Sequence, residues 1–300
     1  GGMNTSYSQN VVNPMCGAGP FPAPSGVFCG GKAGVDLQQM LISAAMAKQF
    51  GNVSVGIAPT AAVQIFSDRG LAAFGGSTID PFNLTNRNSD WIFGAGIRGG
   101  IEWAIMPSLR LGVAGSSPIW TQRFDKYRGL FAEQGDFDIP ANIQAGIAID
   151  VHPALTLMID YRHIWYSGTA SVSNPSTLLL AGNPLGSDNG PGFGWSDIDT
   201  IKFGAEWKAA PDLTLRAGYS YNTQPISSRD VMLNILAPGV VQHHITGGFA
   251  YKWSESIDFE FAAMYAPRVH VTGNELPLGF NDPAHVIDIS MEQFEATFGM

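Results

Sequence analysis

The sequence of 300 residues is short of charge: Asp, Glu, Lys and Arg make up 14% of it, against roughly 25% in an average soluble protein. Basic residues are the scarcer kind, 16 against 25 acidic ones, for a net charge of −9. That balance argues against a nucleic-acid partner, which selects a basic face. Long apolar runs are missing as well. Nothing comes near the ~18 residues that a membrane-spanning helix needs, and the longest candidate, 41–47, contains Ser43. No basic stretch followed by an apolar one precedes the first structured segment, so either a signal peptide has been removed or the sequence is a fragment.

Enzyme signatures are absent too. There is no G-x-S-x-G elbow, no H-E-x-x-H pair and no Gly-rich phosphate loop leading into a helix. His243 and His244 are adjacent, so on a strand they point to opposite faces and cannot chelate together. A barrel-type lipase would carry its Ser and His far apart in sequence, and nothing singles out such a pair. No enzyme, cofactor or metal is expected. Cysteine is limited to Cys16 and Cys29, in the Gly/Pro-rich opening stretch. They either staple a surface loop in an oxidising compartment or remain two unpaired thiols; the disulfide is the expectation.

What the chain has is glycine, 36 of 300 residues or 12% against about 7% on average, and an apolar content of 45% that excludes disorder. It also has a period of two. In 91–105 the odd positions read Trp, Phe, Ala, Ile, Gly, Ile, Trp, Ile and the even ones Ile, Gly, Gly, Arg, Gly, Glu, Ala. That is a strand with one apolar and one small-or-polar face. Segments 53–65, 109–113, 139–149, 155–165, 201–207, 213–221, 245–253 and 257–265 repeat the design. The first and last candidates, 35–50 and 286–300, alternate less cleanly, and bulges or register changes are expected there. The count is about eleven strands and no long helix.

Connections alternate between short turns (51–52, 106–108, 151–154, 209–212, 254–256) and long links (67–90, 122–136, 168–196, 224–243, 267–285). A soluble sandwich has no reason to gather every long loop at one end, whereas outer-membrane barrels do. The strands run near the 9–11 residues that a tilted strand needs to cross a bilayer. Trp103, Trp207 and Trp253 fall beside short turns, and Trp91, Tyr161, Trp165, Tyr219 and Tyr265 toward the long loops, as two interfacial belts would require. Residues 1–34 read as an extracellular loop segment and 35–300 as a single transmembrane antiparallel β-barrel domain. The polar face, with Arg98, Glu102, Arg110, Asp160, Arg162, Lys202, Glu206 and Arg216, then lines a lumen, where cross-strand charge pairing rigidifies the wall. A general diffusion porin and a soluble adhesive sandwich are the competing readings.

Several stretches carry a resemblance to a family: Gly1-Gly2-Met3-Asn4-Thr5, Phe124-Asp125-Lys126-Tyr127, and Gly135-Asp136-Phe137-Asp138-Ile139-Pro140-Ala141. Gly192-Phe193-Gly194-Trp195, Leu215-Arg216-Ala217-Gly218-Tyr219-Ser220-Tyr221 with Gln224-Pro225-Ile226, and Asn234-Ile235-Leu236-Ala237-Pro238-Gly239 follow in order. The chain resembles the FadL/TodX family of outer-membrane transporters for long-chain fatty acids and other hydrophobic compounds. The resemblance implies a fourteen-stranded barrel with an N-terminal hatch and a kinked early strand. The eleven strands would match its last eleven, leaving the hatch upstream of Gly1 and a few residues missing after Met300. It further implies a passive transporter in the outer membrane of a Gram-negative bacterium, surrounded by membrane lipid, monomeric, with a hydrophobic small molecule as its partner.

The same resemblance places an apolar capture groove on the loops after the second and fourth strands. Loop 67–90 carries Leu71, Phe74, Ile79, Phe82 and Leu84; loop 122–136 spaces Phe124, Tyr127, Leu130 and Phe131 as one face of a short helix. Exposed apolar patches mark binding surfaces, although two such loops can equally pack on each other and cap the barrel. A carboxylate headgroup would want a basic partner, for which Arg98 and Arg216 are the candidates.

Overall fold

The computed structural model describes residues 2–6, 16, 28–29, 31–279 and 283–300. Most of the expected loop segment 1–34 lies outside the described residues. What is described of it includes a short strand, so the sheet begins earlier than residue 35. In chain order the strands are β1 (Gly2–Asn4), β2 (Gly34–Ser43), β3 (Met46–Phe50), β4 (Val53–Arg69), β5 (Asp90–Met106), β6 (Leu109–Ser116), β7 (Trp120–Thr121), β8 (Asn142–His152), β9 (Leu155–Ile164), β10 (Ile198–Ala210), β11 (Leu213–Asn222), β12 (His243–Lys252), β13 (Asp258–Asn274) and β14 (Val286–Gly299). They form one antiparallel sheet in which twelve neighbour one another in simple up-and-down order. β3 continues β2 alongside β4, and β7 continues β6 alongside β5. With β3 and β7 counted as continuations and the three-residue β1 set aside, the described residues form eleven strands, as the alternation predicts. Among the described residues β14 pairs only with β13 and β3 only with β4. Among the described residues no helix is long and apolar enough to cross a membrane.

Register carries the apolar face across the whole sheet. Trp103 lies opposite Val53 and Leu111, Phe203 opposite Ile159 and Tyr219, and Phe249 opposite Leu215 and Phe261. These side chains are left on the outside, Trp103 46% and Phe203 44% exposed. The polar face is the concave one. Asp160, Lys202, Arg216 and Glu260 line a cavity of about 870 Å³, and two more of about 480 and 460 Å³ continue along the wall. Gly56, Gly100, Gly146, Gly204 and Gly218 leave room there, while Arg216–Glu206 at 2.8 Å and Arg110–Asp150 at 3.5 Å supply the expected wall pairing.

The expected register change in 35–50 does not occur. Ser43 faces Thr60 and Met46 faces Ile57, on one continuous register. The ladder is only interrupted, because Pro59 has no N–H to give Ala44; Ala44 still donates to the Pro59 carbonyl at 3.1 Å. In the last pair the irregularity falls on the partner: β13 carries a bulge between Ala266 and Val269. β13 then runs on to Asn274, so the first part of the long link expected over 267–285 is strand and the connection itself is shorter.

These two ends alternate poorly because their sidedness reverses. Along β14 the outward positions are Asp288, Ser290 and Glu292, then Phe294, Ala296 and Phe298; the inward ones are Ile287, Ile289 and Met291, then Gln293, Glu295 and Thr297. On β2 the outward Asp36 and Gln38 give way to Met40 and Ile42, while Val35 and Leu37 turn inward. Below the reversal the apolar side chains point out; above it they point in, toward a core made by the long loops.

Candidate functional site

On the upper inner face of β4, Thr60, Ala62, Gln64, Phe66 and Asp68 are all buried, because the connection 117–141 descends onto them. Gln64 Nε2 donates to the Phe137 carbonyl at 3.1 Å, and Ile119 bridges to Ile139. Phe66 is the hub, with the rings of Phe124, Tyr127 and Phe131 centred 5.6, 4.8 and 4.8 Å away and Phe137 4.7 Å from Phe131. The predicted short helix over 124–131 is not regular. A 3-10 turn, Asp125–Tyr127, is followed by a turn at Ala132–Gly135 in which Glu133 and Gln134 have φ of 54° and 56°. That left-handed pair stops any helix from propagating. The spacing nonetheless groups the right side chains: Phe124, Tyr127 and Phe131 are buried together and Leu130 is half-buried.

Loop 70–89 is locked to this segment. The Asp80 carboxylate accepts from Phe82 N–H and Asn83 Nδ2, and pairs with Arg128 Nε at 2.6 Å. The Asn83 hydrogen bond, then Arg128, holds it below the usual carboxylate range. Gly129 lies so close to the Asp80 carbonyl that a Cβ there would sit 2.1 Å from the oxygen; only glycine permits the approach. The Tyr127 hydroxyl accepts from Asp68 N–H and donates to the Asn88 carbonyl at 2.8 Å, and burial pushes it up to about 12. Leu71, Phe74 and Leu84 are buried, but Phe82 is 81% exposed and Ile79 half so. Phe74 stacks on Phe28 at 5.3 Å, next to Cys29, which forms the expected disulfide with Cys16.

The connections 165–197 and 223–242 close the other side. Buried Asp230 accepts from the N–H and hydroxyl of Ser176, both at 2.8 Å, and from Ser227 Oγ at 2.7 Å. Asn234 takes the Trp195 indole N–H at 2.6 Å and donates to the Phe193 carbonyl. Between these loops and the aromatic hub lies an apolar cavity of about 30 Å³ lined by Phe66, Phe74, Leu130, Phe131, Phe193 and Leu236. That holds little more than one water-sized body, so in this closed form the apolar residues satisfy one another. At the edge of the cap Asp136 is pushed up to about 6 by burial, with Asp138 and Glu133 adding to it.

Neither arginine singled out from the sequence belongs to this cluster. Arg98 and Arg216 sit on the inner wall, and Arg216 is engaged by Glu206. Arg98 shares the 460 Å³ cavity with Arg162, Asn142 and Gln144, and no acidic residue lines it; the buried Nε of Arg162 has no partner. Sequence reasoning missed Arg162 as a partner for Arg98, and Phe66, Phe28, Phe137, Phe193 and Leu236 as cap members. Phe66 did carry a signal: it is a large apolar residue on the otherwise small-or-polar phase of its strand.

No family model and no curated relative matches the chain. Solved structures do. The Pseudomonas putida toluene transporter TodX superposes with a TM-score of 0.58 at 14% identity, over 98% of this chain and 76% of that one. The Ralstonia pickettii toluene transporter TbuX gives 0.55 at 14%, over 99% and 76%, and a Pseudomonas aeruginosa FadL homologue 0.57 at 16%, over 92% and 68%. At these identities the likeness is one of fold: the chain shares the barrel architecture of these proteins.

Proposed function

We infer that the chain, with the fold of these barrels, is an outer-membrane passive transporter that takes up long-chain fatty acids or other hydrophobic compounds through its cap and lumen. The observation that carries this reading is the placement of the apolar side chains. One set faces outward along the strands, where lipid would meet it, and a second is gathered in loops at one mouth of a lumen lined with small and polar groups. Leu71, Phe74, Leu84, Phe124, Tyr127, Leu130 and Phe131 form the capture surface, and exposed Phe82 makes first contact. Each methylene moved from water into such a surface gains about 0.8 kcal/mol. Because the cap encloses so little free space, capture requires its loops to part, with the ligand replacing contacts that the aromatic rings make with one another. Onward movement into the 460 Å³ cavity is diffusive, and Arg98 and Arg162 stand ready there for an acidic headgroup.

Uptake of several hydrophobic carbon sources by an uptake-deficient host tests this. Expression of the complete protein should restore growth, and Phe82→Asp and Phe131→Asp should each slow uptake while the barrel still assembles. A large open-state ion conductance in planar bilayers, with uptake unchanged in both variants, would favour a diffusion pore instead.

A further inference from the structure

The upper half of the β13–β14 hairpin faces a third environment, neither the apolar surroundings below it nor the cap behind it. β13 continues nine residues past Tyr265, where its pairing with β12 ends, roughly 30 Å at 3.4 Å per residue. Its inward side chains, Val269, Val271, Ile287, Ile289 and Met291, pack on the cap core. The outward ones, Arg268, His270, Thr272, Asp288, Ser290 and Glu292, are all exposed. They are organised among themselves: the Tyr265 hydroxyl and Arg268 Nη2 each donate to Glu292 at 2.8 Å, and His270 Nδ1 lies 3.0 Å from Asp288. Directly beneath, on the same face, come Phe294 and Phe298, 72% and 67% exposed.

The strip therefore continues the acyl-facing surface upward without a break, and its chemistry changes abruptly to hydroxyl, carboxylate, imidazole and guanidinium. A phospholipid headgroup layer is only about 5–8 Å thick on each side of the hydrocarbon core, far too thin to engage the whole strip. We propose that this outward face docks the phosphorylated oligosaccharide headgroup of an outer-leaflet glycolipid. Sugar hydroxyls exchange hydrogen bonds with Thr272, Ser290 and the carboxylates of Asp288 and Glu292, and a headgroup phosphate meets Arg268 and His270 by displacing those two carboxylates from them. The inference rests on the membrane placement argued above.

The complete protein with Ser290→Cys tests it, since Cys16 and Cys29 are joined in a disulfide and do not take the label. A spin label there is read in three kinds of vesicle: phospholipid alone, phospholipid with lipopolysaccharide bearing a full sugar core, and phospholipid with lipid A alone. Accessibility to a water-soluble relaxation agent should fall several-fold only with the full core, and Arg268→Ala with His270→Ala should reverse much of that fall. Equal accessibility in all three vesicles overturns the proposal. So does shielding in phospholipid alone that grows with protein density, which would mark a second copy as the occupant. A label at Phe203→Cys separates the two failures: if it too is open to the aqueous agent, the membrane placement itself is wrong.

Discussion

Phe203 and Phe124 follow the same preference and end in opposite places. Phe203, at mid-height on β10, is 44% exposed among other apolar side chains on the convex face; Phe124, in a loop, is fully buried. Two regions of one chain thus have opposite polarity, the wall apolar outside and the cap apolar inside. The difference lies in the medium each region meets. A side chain leaves water either by being covered with protein or by being turned toward lipid, and the transfer is favourable in both cases. On the proposed membrane placement, the wall has a lumen within and so turns outward; the loops stand in water and so build a core of their own.

The largest expected effect is in the cap. Phe124→Ala removes a ring at the centre of the aromatic cluster and should lower the opening free energy of 122–136 by about 3–5 kcal/mol. Hydrogen exchange will show it, with the protection of β8 to β12 unchanged. If the strands lose protection together with the loop, cap and wall are not separate units. On the wall, Phe203→Arg should cost about 2–4 kcal/mol in unfolding from a bilayer. An exposed side chain in water would usually tolerate the change within about 0.5 kcal/mol, so a loss that small would remove the contrast. The smallest effect concerns pH. Burial raises Asp136 from 3.8 to about 6, so its contribution to cap stability is fully present below 3.8 and is lost as pH rises through about 6. Protection of 122–141, corrected for intrinsic exchange rates, should therefore decline between pH 4 and 7, and Asp136→Asn should flatten the decline. The same slope in the variant would assign it to another group.

Much of the wall was readable in advance. Trp91 to Trp103 alternate in strict phase, because a wall strand keeps the same two surroundings, the outer face and the lumen, along this length. The first and last strands were not readable by that rule. β14 passes from wall height to cap height within one strand, and its outward positions change there from Phe294 to Glu292. A single phase fitted to 286–300 averages the two and looks like noise. The candidate site was half legible. Phe124, Tyr127 and Phe131 could be grouped by spacing, but their partner Phe66 lies on a strand far back in the chain, and Arg162 joins Arg98 only through the curvature of the wall.

Sequence by itself determined the eleven longer strands, which face of the wall strands between the first and last is apolar, and which end carries the long loops. All three depend on side-chain alternation and turn length, which are local. Tertiary structure decided whether the loop aromatics lie open as a groove or close on one another. It also decided where along the first and last strands the outward face stops being apolar, and which charges are left unpaired in the lumen. Each of these depends on what another part of the chain brings within a few ångströms, and no pattern within one segment records that.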